Sequence, residues 1–412
     1  MSATDSSRGK TATPFPWLGL IVLSAGVFLS ITGETLPAGL LPDMSATLHV
    51  DEPQAGLLVS IFAITVVITS TPLTAITRAW PRHGLLVLVL IVLGVSNILA
   101  ALSPNYGFMV ATRVLGGMAH GMFWAVVGAY AGHLVPKEQI GRAVSITVGG
   151  GTLAFVFGVP LATAAGHAFG WQMSFAGLGV LTLLGAVLVW RFLPAVAREE
   201  ATDERARAYA DPTVRRRDPS VVAVVLVCVL AGIIMVGHYA FYTYIAPFMI
   251  TVMGVGSANV GPLLFLYGIA GAVGLFLAGA VLGKRPQAGM IITIVVTGVA
   301  VAGLAIFAAS AVLGLAAFLL WGLAFGALPP LLQTRLLHAS SAAFRDTASA
   351  LYTTAFNLGI GGGALIGAVV YGAYGVGGVP WVYVAVLVLA LILTTITGRL
   401  GRRPASSASQ TN

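Results

Sequence analysis

The chain has 412 residues, of which 58% are hydrophobic and only 8% charged, with a formal net charge of +8. Soluble domains carry about 25% charged residues, so this composition excludes a water-soluble globular fold and points to an integral membrane protein. The positive charge does not indicate a nucleic-acid partner, because the basic residues fall in short connections between apolar runs, which is a topology signal.

Residues 1–16 form a polar N-terminal tail without a secretory-signal pattern. Twelve apolar segments follow at 17–42, 53–76, 84–103, 106–134, 141–168, 171–194, 220–250, 258–282, 287–309, 311–335, 345–375 and 379–398. Each approaches or exceeds the roughly 20 residues that a spanning helix needs. Runs such as Leu85–Leu93 do not alternate apolar with polar, which argues against a β-barrel. The predicted fold is therefore all-α with twelve spans. Residues 195–219 are hydrophilic and carry both charge signs, reading as a linker between bundles at 17–194 and 220–398; 399–412 is a C-terminal tail. A single cysteine, Cys228, leaves no disulfide framework.

Of the 21 lysines and arginines, 20 lie at connections on one side: the tails, and the loops joining segments 2 to 3, 4 to 5, 6 to 7, 8 to 9 and 10 to 11. The opposite loops lack Lys and Arg, and the first carries Asp43, Asp51 and Glu52. By the positive-inside rule both termini are cytoplasmic, in the cell membrane. A repeat supports the division into halves. Arg142 opens segment 5 sixteen residues before Gly158, and Arg345 opens segment 11 sixteen residues before Gly361. Pro42-Asp43-Met44 near the end of segment 1 likewise matches Pro247-Phe248-Met249, at an offset of 205. Parallel repeats of this kind are characteristic of secondary transporters.

Glu34 and Arg113 are the only acid and base deep inside the apolar segments. Such groups are costly in hydrocarbon, about 2.5–3.5 kcal/mol each, and mark function by default. Counted from the same membrane face they lie about 12 and about 10 Å deep. Burial opposes ionisation of a carboxyl and a neighbouring guanidinium favours it, so Glu34 reads as a proton carrier tuned by Arg113; the alternative is a fixed ion pair that locks two helices. His120, two turns beyond Arg113, either relays protons, binds substrate, or packs beside Gly117 and Gly121. His238, Phe123, Trp124, Tyr239, Tyr242 and Asn357 are candidates for an amphipathic substrate cavity, against simple packing; Tyr244 is expected in the interface belt. Two histidines without a third ligand exclude a plausible metal site. No Walker motif points to ATP, and no cofactor is implied. Close backbone packing is expected at Gly117, Gly121, Gly158 and Gly361, with Pro160 bending segment 5. These are read as rocking surfaces between bundles or as static contacts.

The motifs resemble the major facilitator superfamily, in particular its twelve-helix drug:proton antiporters and, among them, the sugar-efflux and chloramphenicol-resistance branch. The resemblance rests on Thr32-Gly33-Glu34 through Leu41-Pro42-Asp43, on Arg113 through Gly121, on Gly149 through Pro160, and on His238 through Pro247. It implies two six-helix bundles, a monomer, and export of a small neutral or amphiphilic molecule in exchange for protons by alternating access, with Glu34 beside a central cavity. Arg78 and Arg82 would gate the cytoplasmic face together with Arg142, but the family's acid in that loop is absent here. An importer or uniporter on the same fold remains open; a membrane enzyme or receptor finds no supporting cluster or appended domain.

Overall fold

The computed structural model describes residues 15–136, 139–194, 218–341 and 344–400. Nearly all of the expected tails and linker, and Lys137, lie outside the described residues. The helices are α1 Trp17–Leu48, α2 Glu52–Ile76, α3 Arg82–Ala101, α4 Tyr106–His133, α5 in two pieces (Ile140–Leu153 and Val159–Phe169), α6 Trp171–Phe192, α7 Val221–Tyr242, α8 Val260–Ala280, α9 Pro286–Phe307, α10 Ala311–Ala339, α11 Arg345–Tyr374 and α12 Val379–Leu400. Twelve helical spans among the described residues are long and apolar enough to cross a membrane. Their outward faces carry exposed large apolar side chains such as Ile68, Leu161, Phe276 and Val312, as a hydrocarbon solvent requires.

Short polar connections start the helices. Asp51 caps α2 by accepting from the Gln54 amide at 2.7 Å, and Asn105 caps α4 by accepting from Phe108 at 2.9 Å, each satisfying a backbone donor that has no partner within the helix. Glycines end two of them. Gly170 closes α5 at φ 92° and Gly375 closes α11 at φ 76°, a region open to glycine without steric cost. These two turns stand 205 residues apart, so the repeat extends to the loop chemistry.

The prolines act unevenly. Pro42 does not end α1, which continues to Leu48, six residues beyond the expected limit, and closes at His49 in the left-handed conformation. Its repeat mate Pro247 coincides with a break: α7 stops at Tyr242, and a short helix, Ile245–Thr251, resumes after Thr243 and Tyr244. Thr243 is the residue whose carbonyl Pro247, lacking an N–H, cannot satisfy. Before Pro160 the chain passes through a π turn, Ala154–Gly158, in which the Val159 amide reaches back to Ala154.

The cores reveal the conformation. At the end far from the termini, one buried cluster joins both bundles, with Leu41, Ala55, Val59 and Val159 packed among Tyr239, Phe248, Val260, Leu264 and Ala364. At the end bearing the termini the cores are separate. Leu20, Leu23, Leu86 and Phe123 belong to a cluster of N-terminal-half residues, whereas Val224, Val227, Leu336 and Ala348 belong to one from the other half. The bundles are thus sealed at the far end and hold separate cores at the terminal end.

Candidate functional site

The site begins with a proline. Pro37 has no N–H, so the Gly33 carbonyl one turn earlier has no helical donor. Arg113 supplies one: its Nη1 donates to the Gly33 carbonyl at 2.9 Å and its Nη2 to the Glu34 carbonyl at 3.0 Å. The guanidinium lies 4.2 Å over the Phe62 ring from α2 and is buried. Arg113 is therefore fixed to the α1 main chain; it hydrogen-bonds to those two carbonyls, and its charge acts on the Glu34 carboxylate through space.

The Glu34 carboxylate turns elsewhere. Oε2 stands 3.5 Å from His120 Nε2, and Oε1 is buried without a hydrogen-bond partner. His120 is held from its other nitrogen, with Nδ1 2.8 Å from Ser30 Oγ. Phe62 and Trp124 enclose the imidazole, with ring centroids 5.2 and 6.3 Å away. Gly33 lacks the side chain that would crowd Asn97 on α3, whose amide nitrogen is also buried and unpartnered. From the opposite bundle, the Tyr239 hydroxyl lies within electrostatic reach of Glu34.

Two of the C-terminal candidates, Tyr239 and Tyr242, gather around His238. Its ring stacks on Phe325 at 3.3 Å and 2° and on Tyr242 at 5.1 Å, with Tyr239 edge-on at 5.2 Å. Trp321 and Tyr383 complete the box at 5.5 and 5.8 Å. Tyr242 also meets Phe155 of the α5 π turn across the two bundles, at 6.5 Å. Trp124 is half-buried beside His120, but Phe123 is wholly buried against Gly26 of α1; the two adjacent aromatics face different surroundings. Asn357 donates to the Thr353 carbonyl of its own helix at 3.0 Å, the ordinary resting place for an amide on a polar helix face.

Tyr244 is not at an interface belt. It is fully buried, and its hydroxyl donates to the Ala364 carbonyl at 2.9 Å. The helix break before it redirects its ring between α2 and α11, into space left by Gly56 and Gly367. Nearby, the Tyr371 hydroxyl donates to the Glu52 carboxylate, tying the two bundles at the sealed end.

The glycines divide between intra-bundle and inter-bundle contacts. A Cβ on Gly117 would stand 2.8 Å from the Phe62 carbonyl, and one on Gly121 would meet Ser70, so both seat α4 on α2 within one bundle. Gly158 faces Thr32 and Phe28 of α1, not the other bundle; the α5 crossing is made instead by Gly261 and Gly268 of α8, against Pro160, Ala164 and Phe155. Gly361 does lie between bundles, against Ile64 and Ser60. Pro160 offers its carbonyl edge to that crossing. Arg142 stacks over Phe15 and Trp17 at 4.5 and 4.8 Å, joining the start of α5 to the start of α1. Arg78 is exposed and Arg82 half-buried at the terminal end. Ser30, Phe62, Asn97, Phe325, Trp321 and Tyr371 were not distinguished by sequence reasoning, and Glu52 was marked only as a loop acid. Only the proline four residues after Gly33 was a readable sign of an orphan carbonyl.

The family model of the Major Facilitator Superfamily matches residues 23–361. The chain is 35% identical over 383 residues to a chloramphenicol efflux pump of Mycobacterium tuberculosis (strain CDC 1551 / Oshkosh), covering 90% of each. Among solved structures it resembles a bacterial homologue of the human lysosomal transporter Spinster, in an inward-facing and unoccupied conformation, with a TM-score of 0.77 at 16% identity over 96% of this chain and 100% of the other. It also resembles a D-xylose–proton symporter, with a TM-score of 0.77 at 17% identity over 92% and 97%. At such identities the structural likeness speaks for the fold alone.

Proposed function

This chain belongs to the Major Facilitator Superfamily, and we propose that it is a proton-coupled exporter of a small neutral or amphiphilic molecule, with chloramphenicol as the first compound to test. The observation carrying this reading is the Glu34 cluster: a buried carboxyl with one free oxygen, beside a fixed cation and a histidine and within electrostatic reach of Tyr239 on the other bundle. A carboxyl so placed changes its surroundings whenever the bundles rock. Its gain or loss of a proton is thereby linked to which side is open.

The basic-residue distribution supports cytoplasmic termini in the cell membrane. With that orientation, the far-end seal made by Tyr244, Tyr371 and the shared core faces outward, and the arrangement is inward-open. Cargo then enters from the cytosol or inner leaflet and meets Tyr239, Tyr242 and Trp124, with the His238 box as the wall behind them. The carrier works as a monomer, with protons, cargo and lipid as its partners, and Arg78, Arg82 and Arg142 at the cytoplasmic opening. The relative's name favours export over the import or uniport that the same fold also permits.

The test is flux in proteoliposomes under an imposed pH gradient. Export predicts that chloramphenicol moves against the proton flow in wild type and that Glu34→Gln abolishes gradient-driven movement while remaining folded. Movement in the same direction as protons would favour symport, and gradient-independent movement would favour uniport.

A further inference from the structure

Ser30 has no part in the reading above, yet it is wholly buried and forms the best-made polar contact of the Glu34 cluster. We propose that Ser30 is a positioning residue that sets the tautomer of His120, so that Glu34, His120 and Ser30 form a three-group proton wire. The inference rests on Glu34 being the proton carrier.

The argument is one of donor counting. A neutral imidazole has one N–H and one lone pair, and which nitrogen holds which depends on its partners. Here each nitrogen faces one polar group, Glu34 at Nε2 and Ser30 at Nδ1. The rest of the ring is walled by Phe62 and Trp124. Among the described residues, the other charged or titratable groups around the cluster are Arg113 from α4, committed to main-chain carbonyls, and Tyr239 from α7; α2 presents Phe62.

Two complete arrangements follow. With Glu34 ionised, Nε2–H donates toward Oε2 and the Ser30 hydroxyl donates to Nδ1. With Glu34 protonated, its O–H donates to the Nε2 lone pair, and the ring proton at Nδ1 donates to Ser30 Oγ. Passing between them, the Ser30 hydroxyl gives its proton to Nδ1 and takes another from hydronium in water admitted at the terminal end, as the Nε2 proton leaves for Oε2. The ring is neutral before and after, and one proton is gained by the carboxyl. Ser30 lies one turn from Glu34 toward the terminal end, where the bundle cores are separate, so the wire runs from the carrier toward the open side. The 3.5 Å link between Glu34 and His120 is longer than a transfer contact of about 2.6–3.2 Å. The wire is therefore broken at that link here and closes when the carboxyl swings to the ring.

The decisive measurement is nitrogen NMR of histidine-labelled protein in lipid nanodiscs without cargo, with the His120 signal assigned by its loss in His120→Asn. As Glu34 takes up its proton, the wild-type ring should change from the Nε2–H to the Nδ1–H form. Glu34→Gln, whose amide can donate to Nε2, should hold the Nδ1–H form at every pH. Ser30→Ala should hold the Nε2–H form, because a buried Nδ1–H would lack an acceptor, and Ser30→Thr should restore the change. A single tautomer throughout in wild type, or a normal change in Ser30→Ala, overturns the proposal. In gradient-driven flux Ser30→Ala should be slower by about a hundredfold, the low end of a proton-transfer group's usual effect. Loss of flux in Glu34→Gln with a wild-type rate and pH profile in Ser30→Ala sinks the Ser30 assignment alone. Undiminished flux in Glu34→Gln sinks the carrier reading itself.

Discussion

Arg113 takes the hydrogen-bonding place that Pro37 leaves vacant on the Gly33 carbonyl. A helix interrupted by proline inside a bilayer needs some donor for the freed acceptor, and here that donor is a guanidinium anchored on another helix. The cation beside Glu34 is thus held by the backbone and does not travel with the carboxylate. A carrier whose charge comes and goes gains from a neighbour that stays in place when the proton arrives.

The pairing makes a double-mutant prediction. Arg113→Ala leaves a buried carbonyl unsatisfied, at a cost of about 1–3 kcal/mol. Pro37→Ala restores the missing N–H, so Arg113→Ala should cost less in that background. Thermal or denaturant unfolding of the four proteins in detergent measures the coupling; an identical cost in both backgrounds would remove the link between the two residues.

The Glu52–Tyr371 bond should bias the conformational equilibrium. Tyr371→Phe removes one charge-assisted hydrogen bond, worth about 1.5–3 kcal/mol, and so favours the state open at the far end by roughly tenfold or more. Spin-label distances between the far ends of α2 and α11 should lengthen. Unchanged distance distributions would show that the bond does not hold the seal.

Gly268 should be intolerant of any side chain. A Cβ there would stand 2.5 Å from the Phe155 carbonyl and 2.7 Å from the Val156 Cα, and main chain cannot step aside as a side chain can. Gly268→Leu should prop α5 and α8 apart, reducing transport at least tenfold while the protein stays folded. Near-normal flux in this variant would mean that the crossing is looser than described.

At the start of α7 the Asp218 carboxylate accepts from the Ser220 amide and hydroxyl and from the Ser341 hydroxyl. These donors hold its carboxyl below the usual carboxylate range. A carboxyl lowered on folding stabilises the fold above its unfolded value, about 3.9, and loses that contribution as pH falls through the lower folded value. The melting-temperature advantage of wild type over Asp218→Asn should therefore be full near neutrality and shrink below about pH 4. An advantage independent of pH would contradict the assignment.

Topology was legible because it depends on composition along the chain: apolar length places a span, and Arg78, Arg285 or Arg345 marks a side. The candidate charges were legible for the same reason, since Glu34 and Arg113 violate that composition. What sequence did not disclose depends on direction. The carboxylate and guanidinium depths matched, yet nothing in spacing told that Arg113 reaches main chain while Glu34 turns to His120. Tyr244 resembled a belt aromatic until the break at Thr243 rotated it inward. Gly158 and Gly268 look alike in sequence, and only the crossing of α5 with α8 shows which one meets the other bundle.

The core that joins the bundles at the far end contains Tyr239 and Tyr242, the same side chains proposed to greet cargo. Sealing and recognition therefore compete for one surface. A molecule that grips these tyrosines strongly must pull them from the seal, and a substitution that tightens the seal must weaken the grip. Leak-tightness and breadth of cargo are then opposing quantities in this carrier, and variants selected for one should drift in the other.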